Sequence, residues 1–264
     1  MSVEITGKSK IMFVLADPVD HVRASAVINA HFRAIGEDVA TSPLHVLPED
    51  LPAVVGAIRR MGNVVGFGVT IPHKVAIMSH LDLVTSGAEA IGAVNFVKRT
   101  AEGRLIGDNL DASGFIAGLA SHRCAVGGKR VLQAGAGGAG RATAFAIAAA
   151  GAAELVISNR DEAKARALAE CVAARHPTVN VLAGTAPAED FDLVVNTTSL
   201  GMKAGDALPV DLSRIGPQTT VCDIIVNPAV TELMALAAAR GARTIGGKAM
   251  LDEQMTLVAE FIRR

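Results

Sequence analysis

The chain has 264 residues, half of them hydrophobic, with 25 Lys and Arg against 26 Asp and Glu and a net charge of −1. That length suits two domains of moderate size, and the near-neutral balance with no long basic run argues against nucleic acid or an anionic membrane as the main partner. Cys124, Cys171 and Cys222 are widely spaced and form no C-x-x-C pair, which reads as free thiols in a reducing cytoplasm. Met1-Ser2-Val3-Glu4 lacks the basic-then-apolar plan of a signal peptide. No uncharged apolar stretch reaches the ~18 residues of a membrane span. The seven histidines show no metal-ligand spacing, so no metal is expected.

Taken in chain order, residues 11–16 are a continuous apolar run stopped by Asp17-Pro18, the pattern of a buried strand. Residues 24–35 carry helical periodicity through Val27, Ile28, His31, Phe32 and Ile35, and Gly36 ends it. A strand at 39–46 precedes a helix to about residue 60, with Asp50 as its cap and Pro52 in its first turn. A strand at 64–70 closes at Ile71-Pro72, and a short helix is expected from His73. Ser86-Gly87-Ala88-Glu89 has capping-box spacing. Residues 93–99 and 105–109 read as paired strands around Glu102-Gly103. Alternating strand and helix make this block an α/β domain.

After a connecting helix at 112–122 comes a regular series. Strands are expected at 130–134, 154–159, 179–183, 191–196 and 220–225, with helices at 141–150 and 162–175 between the first three. Asn227-Pro228 is expected to open a helix to Arg240. Thr244-Ile245 is a last short strand, and Gly246-Gly247 releases a final helix over about 251–264. This second block is a nucleotide-binding α/β unit.

Four stretches carry chemistry. In Gln133-Ala134-Gly135-Ala136-Gly137-Gly138-Ala139-Gly140-Arg141, glycines 135, 137 and 140 fit G-x-G-x-x-G between a strand and a helix. The first glycine permits the tight turn, the second lets backbone approach a pyrophosphate, and the third lets helix and strand pack closely. The helix N-terminus then offers N–H groups to the phosphates. More than 120 residues precede this loop, so another domain is built first. At the end of the next strand, Arg160 argues for the 2′-phosphate of NADP, and Asp161, 21 positions past Gly140, argues weakly for NAD. Lys74 sits where a short helix should begin. The dipole there opposes a cation, which makes the lysine a candidate acid–base. Asp111, in the small and polar stretch 107–114 at the junction of the blocks, is a candidate partner for Lys74 or a helix cap.

Together these stretches resemble the shikimate dehydrogenase family over essentially the whole chain. The resemblance is carried by VTIPHK at 69–74, GAVN at 92–95, GDNLD at 107–111, GAGGAGR at 135–141, SNR at 158–160, NTTSLGM at 196–202, and Met250-Leu251 with Gln254. It implies an N-terminal α/β substrate domain, residues 1–111 and 245–264, and a Rossmann-like dinucleotide domain, 112–244, with the C-terminal helix returning to the first. It implies reversible NADP-linked reduction of a ring ketone, with NAD possible, and Lys74 and Asp111 as the catalytic pair. Thr70, Asn95, Asp111 and Gln254 would contact substrate hydroxyls. Residues Gly135, Ala136, Gly137, Gly138, Ala139 and Gly140 would hold the cofactor, Asn159 and Arg160 its 2′-phosphate. The segment around Thr197, Thr198 and Met202 would approach the nicotinamide. The expected partner is a small polyhydroxy acid, bound by a cytoplasmic monomer or homodimer.

The departures bear on the substrate. The family usually carries H-S-x-S-P after its first strand, where two serines bind the substrate carboxylate; here Val22 and Ala24 stand in their places. A tyrosine usual after the D-x-x stretch is replaced by Val226, and Asn95 is followed by Phe96. An anion without donors loses charge-assisted bonds and incurs desolvation. Either Arg23 or Lys248, in the loop before the final helix, holds the carboxylate, or the substrate lacks it there. The pattern looks like a divergent branch akin to quinate- and aminoshikimate-type enzymes. A dinucleotide-binding sensor with vestigial chemistry is the alternative of another class.

Overall fold

In a computed structural model of the chain, residues 5–20, 22 and 24–263 are described. The chain divides into two compact units. One runs to Leu110 and resumes at Met255; the other is Asp111–Gln254.

The first unit contains β1 (Lys10–Ala16), α1 (Ala24–Ala34), β2 (Val39–His45), α2 (Leu51–Ile58), β3 (Val64–Val69), β4 (Leu83–Val84), α3 (Ser86–Ile91), β5 (Phe96–Arg99) and β6 (Leu105–Asp108). Its sheet has the order β2-β1-β3-β5-β6-β4. β1 is parallel to β2 and β3, whereas β5 runs antiparallel to β3 and β6. The uninterrupted apolar runs of β1 and β3 follow from their central positions. Leu15, Phe67 and Val69 pack with Val55 and Ile58 of α2 and with Ile77 and Leu105 in one core. α1 buries Ser25, Ile28 and Phe32, a single helical stripe, and Gly36 follows it at φ +74.

The second unit opens on α4 (Leu110–Ser121), whose first residue belongs to the other unit. It continues with β7 (Arg130–Ala134), α5 (Gly138–Ala149), β8 (Glu154–Ser158), α6 (Glu162–Arg175), β9 (Asn180–Ala183), β10 (Leu193–Asn196), β11 (Thr220–Asp223), α7 (Glu232–Ala239), β12 (Arg243–Ile245) and α8 (Gly247–Arg263). All strand pairs are parallel, in the order β12-β11-β10-β7-β8-β9. This is the doubly wound order of a Rossmann-type sheet. Its direction of build-up reverses between β7 and β10, and ligands bind beyond the carboxyl ends of strands at such a switch point.

Several helix starts differ from the sequence reading. α3 is capped by Thr85, whose hydroxyl accepts from the Ala88 N–H, one residue before the expected serine. Asp50 gives no side-chain cap, because Pro48–Asp50 already forms a tight helical turn. Asn227-Pro228 does not open α7. Thr231 does, its hydroxyl accepting from the Met234 N–H. α8 begins at Gly247, so Lys248 lies in its first turn rather than in a preceding loop. The second boundary between units falls at Gln254, within α8, rather than at 244. Close packing accounts for this: a Cβ on Gly118 would lie 2.7 Å from the Met250 N, and one on Gly114 2.9 Å from the Gln254 Cβ. The first half of α8 is therefore seated on α4.

Candidate active site

The glycine loop follows β7 at the switch point. Gly135 has φ +109, and a Cβ there would stand 2.4 Å from the Thr197 hydroxyl oxygen. A Cβ on Gly140 would meet the Gly135 carbonyl oxygen at 2.4 Å. These two glycines are required by the protein's own packing. Gly137 and Gly138 are different, since a Cβ on either meets nothing within 4 Å. Their openness is the space a pyrophosphate needs, beside the N-terminus of α5, which starts at Gly138 instead of the expected 141. The residues present therefore fit a dinucleotide.

The neighbouring strands hold this cradle. The Asn159 Oδ1 accepts from the Ala136 N–H at 3.1 Å, and its Nδ2 donates to the Asp161 carbonyl at 2.9 Å. The Asp161 carboxylate accepts from the N–H groups of Ala163 and Lys164. That acid caps α6, and Arg160 beside it is exposed. Thr197 is buried under the loop, its hydroxyl donating to the carbonyls of Ala134 at 2.8 Å and Gly135 at 3.2 Å. The Thr198 hydroxyl donates to Asn196 Oδ1 at 2.7 Å. Met202, 57% exposed, is the side chain of the three that stands out from the fold. It lines a cavity of about 340 Å³ with Leu200, Lys203, Asp206, Asn227 and Glu232.

Sequence reasoning missed the buried polar support of this region. The Asp223 carboxylate, fully buried, accepts from Asn196 Nδ2 at 3.1 and 3.2 Å, from the Ile225 N–H at 3.0 Å and from the Thr231 hydroxyl at 2.8 Å. It thereby ties the ends of β10 and β11 to the start of α7. Gln133, inside β7, was missed as well. The available signal was a polar residue placed in an otherwise apolar strand.

In the first unit, Thr70, Lys74 and Asn95 come together beyond β3 and beside β5. The Asn95 carbonyl accepts from the Val69 N–H at 2.7 Å, and the Lys74 carbonyl accepts from the Val94 N–H at 2.8 Å. Asn95 Oδ1 accepts from the Leu110 N–H at 2.7 Å. His73 pins the turn: it is buried, and its Nε2 lies 2.8 Å from the Val46 carbonyl oxygen. Residues 71–75 form turns followed by a 3-10 stretch, Ala76–His80. The α-helix expected to start at His73 is absent, and with it the dipole argument for Lys74. In the second unit, Gln254 Nε2 donates to Asp111 Oδ1 at 2.7 Å. Lys248 pairs with Asp252 one turn along α8, at 2.7 Å to Oδ1. Arg23 lies outside the described residues. Among the described residues, no group of three or more His, Cys, Asp or Glu is placed to hold a metal, and no helix is long and apolar enough to cross a membrane.

Residues 14–97 match the family described as the shikimate dehydrogenase substrate binding domain. Over 266 aligned residues the chain is 39% identical to the shikimate dehydrogenase (NADP(+)) of Geobacter metallireducens, covering 96% of this chain and 90% of that protein. Among solved structures, a ligand-free 5-ketofructose reductase of Gluconobacter sp. strain CHM43 superimposes with a TM-score of 0.90 at 34% identity, covering 97% of this chain and 93% of the other. A shikimate dehydrogenase in complex with NADP+ gives a TM-score of 0.90 at 33% identity, covering 98% and 91%. The doubly wound sheet with its open glycine cradle defines a dinucleotide-binding protein. Within that class, the chain belongs to the shikimate dehydrogenase family.

Proposed function

We propose that this chain catalyses reversible hydride transfer between NADP and a ring carbon of shikimate or a related cyclic polyhydroxy acid. The observation that carries the reading is the pair of unobstructed glycines, 137 and 138, at the β7–β10 switch point. NADP supplies or accepts the hydride at its nicotinamide ring. Asp161 is occupied in capping α6, which leaves the exposed Arg160, with the second Nδ2 proton of Asn159 beside it, for the 2′-phosphate and supports NADP over NAD.

In the reductive direction, Lys74 Nζ gives a proton to the ketone oxygen as alkoxide charge develops there. In this reading, which rests on the family resemblance, Asp111 orients the lysine and a substrate hydroxyl, and the lysine is the proton donor. Gln254 holds Asp111 through the 2.7 Å bond. Thr70 and Asn95, fixed around the Lys74 turn, bind hydroxyls. Lys74→Ala is expected to depress turnover by about 10²–10⁴-fold while leaving NADP affinity intact. Near-normal turnover in that variant removes Lys74 from the mechanism.

A second reading concerns the substrate. Val22, Ala24 and Val226 offer no side-chain hydrogen-bond donor, and Lys248 is engaged by Asp252. These facts favour a polyhydroxy ketone without a carboxylate, and the Gluconobacter neighbour is named for reduction of one, 5-ketofructose. Initial rates with NADP and NAD against shikimate and quinate, and with NADPH against 5-ketofructose, decide the matter. Ordinary rates on shikimate establish the acid; traces on both acids with ordinary rates on the sugar ketone establish the neutral substrate.

A further inference from the structure

Every residue of β7 after Arg130 is buried, and Gln133 is the polar one, with 0% exposure. An amide in such a strand is costly unless its groups are bonded. Here both Nε2 protons have acceptors. They go to the carbonyl oxygens of Gly135 at 2.9 Å and Gly140 at 2.8 Å. Oε1 accepts from the Thr143 hydroxyl at 2.8 Å. The reversed amide would set Oε1 against two carbonyls, so the surroundings define its orientation. Thr143, also 0% exposed, lies on α5 with its hydroxyl 3.1 Å from the Gly140 carbonyl oxygen. One side chain thus bridges the first and third glycines of the loop, and a second braces it from the helix.

We propose that Gln133, braced by Thr143, is a positioning residue for the dinucleotide. Its bridge sets the gap between Gly135 and Gly140, and so aims the N–H groups of the intervening residues at the pyrophosphate. The proposal rests on the assignment of the glycine loop to the cofactor. Neither side chain reaches the surface, so any effect on binding passes through the loop backbone. An apolar residue of similar length at 133 would fill the same volume and leave the Gly135 carbonyl to the longer Thr197 contact alone.

The test is a binding titration of Gln133→Met with two probes: NADP, and adenosine 2′-monophosphate, which has no pyrophosphate. NADP affinity should fall about tenfold, with kcat at saturating cofactor retained and adenosine 2′-monophosphate affinity unchanged. Thr143→Val should weaken NADP binding by a smaller factor, Thr143→Ser should match the parent, and Gln133→Met with Thr143→Val should be no weaker than Gln133→Met alone. Equal losses for both probes, or none in a folded variant, overturn the proposal. If Gln133→Met does not fold, equal NADP affinity of Thr143→Val and Thr143→Ser overturns it instead. Failure of the unsubstituted chain to bind NADP overturns the cofactor reading, and the bridge with it.

Discussion

Two glycines two residues apart should respond to alanine in opposite ways. Gly137 is the N-cap of α5 at φ −80 and ψ −168, extended backbone that any residue adopts, and a Cβ there touches no protein atom. Alanine is a poorer cap than glycine, but it removes freedom from the unfolded chain. The two effects nearly cancel, so folding stability should move by less than about 0.5 kcal/mol. The methyl group instead occupies the pyrophosphate's approach. Hydrogen bonds to a charged group are worth about 1.5–3 kcal/mol each, so displacing even one lowers NADP affinity at least about tenfold. Gly135→Ala meets the reverse situation, with φ +109 and a Cβ 2.4 Å from Thr197 Oγ1 and 3.1 Å from the Thr197 carbonyl carbon. Left-handed strain of about 1–2 kcal/mol and overpacking of about 1–3 kcal/mol add to roughly 2–5 kcal/mol. At about 2–4 °C per kcal/mol for a chain of this size, the melting temperature should fall by roughly 5–20 °C. Thermal melts without cofactor, paired with NADP titrations, measure both quantities. A Gly137→Ala protein that melts as low as Gly135→Ala, or binds NADP as tightly as the parent, refutes the division of labour within the loop.

The buried network at Asp223 should be costly to break. Asp223→Ala removes the acceptor for Asn196, Thr231 and the Ile225 N–H together, a loss on the order of 3 kcal/mol in chemical unfolding; a change under about 0.5 kcal/mol contradicts the network. Asp82 accepts from the Leu105 N–H at 2.6 Å and from the Arg59 guanidinium. These partners, the backbone bond foremost, hold its carboxyl below the usual carboxylate value. A depressed acid stabilises the fold above its unfolded pKa, and that contribution disappears as pH falls through the folded value. The deficit of Asp82→Asn, under about 1 kcal/mol for so exposed a pair, should therefore be present at neutral pH and shrink below about pH 4; a deficit that grows on acidification contradicts the assignment. Of the three thiols, Cys171 is exposed while Cys124 and Cys222 are buried, and burial pushes the Cys222 thiol up. One thiol per native chain should react with a thiol reagent and three after denaturation, as counted by mass.

Where local spacing and elementary sterics decide, the sequence was legible. The glycine loop, the alternation of strand and helix, and the apolar runs of β1, β3, β7 and β10 all lie within short windows, and all are present in the structure. Helix starts were legible only to within a few residues. A threonine cap competes with nearby serine, aspartate or proline, and tertiary contacts choose between them. Thr231 prevails over Asn227-Pro228 because its hydroxyl both caps α7 and donates to the buried Asp223.

Buried polar groups mark the real boundary of sequence reading. Gln133, His73 and Asp223 each sit among apolar neighbours, and each is retained there by partners on another element. His73 meets the Val46 carbonyl, and Asp223 meets Asn196. A lone polar residue in an apolar run could not be told from a poor strand until those partners were in place. The glycine motif shows the same limit from the other side. Its spacing announced a phosphate loop, yet it did not distinguish the glycines that the protein needs for its own packing from those kept open for a ligand. That distinction belongs to three-dimensional neighbours: Thr197, just past the end of β10, stands against Gly135 and Gly140, and no protein atom stands against Gly137. A cofactor loop is therefore a steric division between strand partner and ligand, and only the side facing the ligand is open to change without loss of the fold.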